Sequence, residues 1–122
     1  MDATEFASRR KSIETPFGEI AYVEKGSGPA ALFVHGVLLN GYLWRNVIDA
    51  LAGRRRCIAV DLMGHGATRV PEEQDLSFDA QARMLAAFVD ALGLEQVDLV
   101  GNDSGGGIAQ IVAANHPERI RT

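Results

Sequence analysis

The stretch Val97-Asp98-Leu99-Val100-Gly101-Asn102-Asp103-Ser104-Gly105-Gly106 constrains this chain more than any other. The β-branched Val97 and Val100 mark a strand over residues 96–101. A helix follows over residues 105–115, closed by Pro117, which cannot continue it. A strand that passes into a helix through so short a turn doubles the chain back on itself. The residues two before and two after its tip must therefore be small. Centring the turn on Asp103 puts Gly101 and Gly105 at those places, whereas centring it on Ser104 puts Asn102 and Gly106 there, a poorer fit. The aspartate register is preferred. A plainer alternative is an aspartate that caps the following helix. The run Gly105-Gly106-Gly107 admits no Gly-x-Gly-x-x-Gly alignment, so a dinucleotide site is a weak reading.

The rest of the chain alternates strands and helices around that turn. Residues 11–15 and 19–24 flank Pro16-Phe17-Gly18 and predict an antiparallel hairpin. After the turn Gly26-Ser27-Gly28-Pro29, residues 30–34 and 57–60 read as short buried strands. Residues 42–51 carry a helical apolar spacing at Leu43, Val47, Ile48 and Leu51. The clearest helix spans 78–92, where Phe78, Ala82, Leu85, Val89 and Leu92 line one face. Ser77 is its expected N-cap, Asp79 sits in the positive first turn, and Gly93 suits its end. Strands without alternation, separated by helices, predict an α/β fold: a mostly parallel sheet covered on both faces, preceded by the hairpin. Residues 1–11 read as an N-terminal extension and 12–122 as the core. Residues 118–122 look like the lead-in to another strand, which would leave 96–101 as a sheet edge. The chain is therefore expected to be the N-terminal portion of a larger domain, poorly stable by itself.

Charge and histidine placement narrow the function classes. The net charge of −4 gives no electrostatic reason to expect nucleic acid, and Arg54-Arg55-Arg56 reads as a solvated loop. No run is long enough to span a bilayer, and residues 1–11 carry no signal-peptide core. The single Cys57 reads as a small core residue, so a soluble protein of a reducing, cytoplasmic compartment is expected. His35, His65 and His116 lack metal-site spacing and each is expected to order loop backbone; neither metal nor cofactor is expected. Trp44 and Phe88 are read as core or cap-facing residues.

Three motifs in order resemble the α/β-hydrolase fold superfamily, in the branch whose nucleophile is aspartate: haloalkane and haloacetate dehalogenases and soluble epoxide hydrolases. Gly101-Asn102-Asp103-Ser104-Gly105-Gly106 resembles that branch's nucleophile elbow. Phe33-Val34-His35-Gly36 looks like its oxyanion strand and loop, and Asp61-Leu62-Met63-Gly64-His65-Gly66-Ala67-Thr68 like its Asp-x-x-Gly-x-Gly-x-Ser turn. The resemblance covers the chain from Ser12 onward, with the cap domain and the triad acid and histidine lying beyond it. It implies that Asp103 attacks a small organic substrate to form an ester, which a histidine-activated water then hydrolyses. The backbone N–H groups of Ser104 and Val37 would stabilise the oxyanion, with His35, Gly36, Gly101 and Gly105 supporting the turns. The chain departs from the branch at Ser104, where dehalogenases place Trp, at Val37, where many place Asn, and at Leu38, where epoxide hydrolases place Pro. Since the catalytic histidine follows the nucleophile in this fold, the chain alone is expected to lack the water-activating step. Two alternatives stand beside this reading: an esterase using Ser104, and a non-catalytic module that binds a partner.

Overall fold

Thr15-Pro16-Phe17-Gly18 reverses the chain where the sequence predicts. The Thr15 hydroxyl closes that turn by donating to the Gly18 carbonyl (3.0 Å) and accepting from the Phe17 N–H (3.1 Å). The computed structural model describes residues 1–122. Strands β1 (Arg10–Thr15) and β2 (Gly18–Lys25) form the hairpin, and β2 continues antiparallel onto β4 (Arg56–Val60). β4 then pairs parallel with β3 (Ala30–Val34), and β3 parallel with β5 (Asp98–Gly101). The sheet order is β1-β2-β4-β3-β5. An antiparallel hairpin thus leads into a parallel sheet, as expected.

Period-two alternation in the central strands sends their side chains into two separate cores. On one face Leu32, Val34, Ile58 and Val60 meet Leu85, Phe88 and Val89 of α3 (Phe78–Ala91) and Ile108 and Val112 of α4 (Ser104–Asn115). On the other, Ala31, Phe33, Cys57 and Ala59 meet Phe6, Trp44 and Ile48. The expected core residues Phe88 and Trp44 are both buried: Phe88 packs edge-on against Tyr22, and Trp44 tilts against Phe33 with ring centres 5.2 Å apart. Ser77 caps α3 by accepting the Ala80 N–H, Asp79 lies in its first turn, and Gly93 follows its end at φ 71°.

Two expectations are corrected. Residues 42–51 do not form one helix: a 3-10 turn, Gly41–Trp44, precedes α2 (Arg45–Leu51). With three residues per turn at its start, the segment rotates so that Trp44 and Ile48 face the core while Leu43 and Val47 are exposed. Within residues 1–11, α1 (Ala3–Ser8) is capped by Asp2 and buries Phe6 in the second core. Finally, the outer edge of β5 is not bare along its length. Val97 donates to the Arg119 carbonyl (2.9 Å), Arg121 to that of Val97 (2.9 Å) and Leu99 to that of Thr122 (2.8 Å). The buried Asp98 carboxylate holds that segment, accepting from Arg121 Nε (3.0 Å) and Thr122 Oγ1 (2.8 Å) and pairing with Arg55. Arg121 foremost keeps the Asp98 carboxyl well below the usual carboxylate range. No helix is long and apolar enough to cross a membrane.

Candidate functional site

Only Asn102 and Asp103 separate β5 from α4. To turn so sharply the chain places Asp103 at φ 56°, ψ −123°, and Leu38 (φ 64°) is the only other non-glycine residue with positive φ. Such a backbone costs about 1–3 kcal/mol and persists only where its surroundings impose it. The surroundings here are backbone against backbone. A Cβ on Gly101 would lie 2.6 Å from the Gly105 carbonyl oxygen, and one on Gly105 would overlap the carbonyl oxygens of Val34 and His35. On Gly106 its nearest neighbour would be 3.8 Å away. The two glycines that must be glycine are therefore the pair centred on Asp103.

The Asp103 carboxylate is exposed and does not cap the helix behind it. The plain capping role is thus overturned. Its Oδ2 lies against Gly36, 3.2 Å from where a Cβ on that glycine would stand. Gly36 opens the loop after β3, and the next N–H, that of Val37, donates to Ser104 Oγ at 2.8 Å. Ser104 is the first residue of α4, so its own N–H belongs to the first turn, whose amides have no partner within the helix. The structure thus gathers all seven sequence-predicted positions, Asp103, Val37, Ser104, His35, Gly36, Gly101 and Gly105, around one bend.

Two of the three histidines, His35 and His65, bond loop backbone, as expected from sequence. His35 is fully buried; its Nε2 accepts the Leu62 N–H (3.0 Å), which leaves Nδ1 to donate to the Gly36 carbonyl (2.7 Å). Burial pushes the His35 pKa below its usual value, so the ring is neutral near pH 7. His65 Nδ1 lies 3.0 Å from the Met63 carbonyl, and His116 closes the far end of α4. Asp61 is a buried anchor: its Oδ1 accepts from Gly41 (2.8 Å) and its Oδ2 from Ala67 (2.9 Å). Thr68 fills the serine position of that turn, donating to the Asp61 carbonyl (2.7 Å) and accepting from the Ala21 N–H (2.9 Å). No group of three or more His, Cys, Asp or Glu side chains is placed to hold a metal ion.

Two features escaped the sequence reading. Val37, Leu38 and Leu39 are exposed, Leu38 to 90%, and with Leu43 they set an apolar rim beside Gly36. The Ser104 hydroxyl reaches across to a second loop. Neither has a local sequence signal, because each depends on where β3 ends relative to β5. The largest hollow, about 450 Å³, lies elsewhere, between Gly64 and Leu76, and includes none of the bend residues.

Comparison with known proteins places this geometry among relatives. Residues 29–122 match a family model described as the alpha/beta hydrolase fold. Over 115 residues the chain is 41% identical to a haloalkane dehalogenase of Mesorhizobium japonicum, covering 93% of this chain and 37% of that protein. Over 104 residues it is 39% identical to haloalkane dehalogenase 2 of Mycobacterium tuberculosis, covering 85% of this chain and 36% of that one. The crystal structure of an epoxide hydrolase from Vigna radiata superposes with a TM-score of 0.88 at 33% identity, over 93% of this chain and 37% of its own. The chain thus spans somewhat over a third of the length of these relatives.

Proposed function

The chain belongs to the α/β-hydrolase fold family, and from that premise we propose that it is the nucleophile-bearing part of a hydrolase acting on small organic electrophiles through Asp103. The observation that carries this reading is an exposed carboxylate that does not cap its helix, on a strained backbone at a helix N-terminus. A carboxylate that served only the fold would accept the orphan N–H groups of that helix. Its relatives' names, haloalkane dehalogenase and epoxide hydrolase, support a substrate class in which the attacked carbon bears a halide or an epoxide oxygen. The exposed apolar residues Val37, Leu38 and Leu39 suit substrates of low polarity.

In the first step the Asp103 carboxylate attacks that carbon. A C–O bond forms, and the carbon–halogen or carbon–oxygen bond breaks, releasing halide or an alkoxide that takes up a proton. In the second, water adds to Asp103 Cγ and pushes the carbonyl electron pair onto oxygen. The Ser104 N–H and the donor at Val37 stabilise this oxyanion. Collapse returns the carboxylate and releases the alcohol; of the water's two protons, one goes to the alcohol and one to a base. None of the three histidines is placed to be that base: both nitrogens of His35 are engaged, His65 Nδ1 is turned to the Met63 carbonyl of its own turn, and His116 lies at the far end of α4. We assign it to a residue outside 1–122, so that this chain alone stops at the ester.

The test is mass spectrometry of the full-length gene product after reaction with 1-bromobutane or styrene oxide. Wild type is expected to carry the adduct on Asp103, and Asp103→Asn to form none and lose turnover by at least about 10³-fold. An adduct on Ser104 overturns the aspartate reading in favour of a serine enzyme. No adduct at all favours a non-catalytic module.

A further inference from the structure

The donor at Val37 is already engaged: its N–H points at Ser104 Oγ, 2.8 Å away. That hydroxyl belongs to the residue after Asp103 and sits at the first position of α4. A serine oxygen that accepts one hydrogen bond still has a proton to donate. Acceptance also polarises the O–H, which strengthens the bond it gives. On the far side of the same contact, Asp103 Oδ2 lies against Gly36, the residue bonded to Val37. Ser104 Oγ and Asp103 Oδ2 thus both border the Gly36–Val37 segment, one at the Val37 N–H and the other against Gly36.

We infer that the Ser104 hydroxyl is itself an oxyanion donor, relaying the Val37 N–H to the charge that develops on the Asp103 carboxyl during ester hydrolysis. This deepens, and rests on, the assignment of Asp103 as nucleophile. The hydroxyl gives a hydrogen bond and keeps its proton; no bond to Ser104 oxygen forms. Its contribution falls on the second step alone. In the first, the carboxylate loses negative charge as it becomes an ester, and a donor held on it does not favour that loss. In the second, a neutral carbonyl gains a full charge, and a donor fixed there in advance lowers the barrier. The relay also leaves Val37 N–H satisfied between turnovers and the loop from Gly36 to Leu39 in place, although Leu38 holds a positive φ.

Ser104→Ala and Ser104→Thr separate this role from its rivals. The full-length gene product is mixed with excess 1-bromobutane, or with styrene oxide, and quenched through one turnover, with the Asp103 ester followed by mass spectrometry. Ser104→Ala is expected to form the ester within about threefold of the wild-type rate. It should then hydrolyse it about 10- to 100-fold more slowly, so that ester accumulates; loss of an oxyanion donor typically costs about 10²–10³, and the freed Val37 N–H recovers part of it. Ser104→Thr, which keeps the hydroxyl, should return hydrolysis to within about threefold. Amide exchange at Val37 should quicken in the alanine variant and stay slow in the threonine one. Unchanged or faster hydrolysis in Ser104→Ala overturns the inference, because the hydroxyl would then only block the Val37 donor. Equal slowing of both steps, or no rescue by threonine, overturns it in favour of a purely structural role. Absence of an Asp103 ester in wild type with both probes overturns the nucleophile assignment, and the inference falls with it.

Discussion

At Gly105 one methyl group is enough to push α4 away from the end of β3. The atoms a Cβ would strike are backbone carbonyls of Val34 and His35, which cannot swing aside as a side chain can. Gly105→Ala is therefore expected to destabilise the chain by about 3 kcal/mol, the upper end of ordinary overpacking. Its neighbour behaves oppositely. Gly106 has no positive φ, and a Cβ there would make only ordinary contact, 3.8 Å from the Gly101 carbonyl oxygen, so Gly106→Ala should gain about 0.5–1 kcal/mol of helix stability. Urea unfolding of the two variants checks both signs; equal destabilisation would refute the register centred on Asp103. This much was legible in the sequence, because the steric demand of a sharp turn acts between residues two apart. What lay beyond reading was the tie from Ser104 to Val37, which joins positions separated by most of the chain. The positive φ of Leu38 was equally hidden, since leucine carries no propensity for it.

Among the elements, α3 and α4 were legible and α2 only partly. In α3 the apolar stripe, the Ser77 cap and the Gly93 stop agree with one another, and the helix forms at 78–91 as that consistency requires. Residues 41–51 mislead because the first turn is 3-10, drawn tight by the Asn40 side chain accepting the Tyr42 N–H (2.9 Å). A period of 3.6 applied from Leu43 then points at solvent. The pairing of residues 119–122 with β5 hinges on Asp98 rather than on apolar pattern. Asp98→Asn should cost about 1–2 kcal/mol, less than the 3–5 of a fully buried pair because Arg55 and Arg121 remain partly in water. Hydrogen exchange should locate the damage, with the amides of Val97, Leu99 and Arg121 losing protection while those of β3 and β4 keep it. Uniform loss across the sheet would mean that Asp98 supports more than this edge.

Across the whole molecule, acid is expected to weaken the fold in two separate stages. His35 has a folded pKa below its usual 6.5, because protonation would charge a buried ring and break the bond from Leu62. The unfolded chain then binds more protons than the native one, so this contribution is intact above pH 6.5 and declines as pH falls below it. Asp98 has a folded pKa below its usual 3.8, held down foremost by Arg121, so its contribution survives the first stage and declines as pH drops beneath that value. Urea midpoints should be flat from pH 8 to 7, begin to fall below about pH 6.5, and fall further below about pH 4. A His35 ring resonance that titrates above 6.5 would refute the first stage. The division into two cores on opposite faces of one sheet was foreseeable from strands without polar alternation; that α1 closes the second core was not, since a single Phe6 sets its docking. The apolar rim of Val37, Leu38 and Leu39 belongs to neither core. Replacements there leave the interior as it was, whereas Gly101 and Gly105 accept none without moving the main chain. A lineage carrying this domain is free to drift along the rim while inheriting the geometry of the bend unchanged, so variation is to be sought on the rim and never at the hinge.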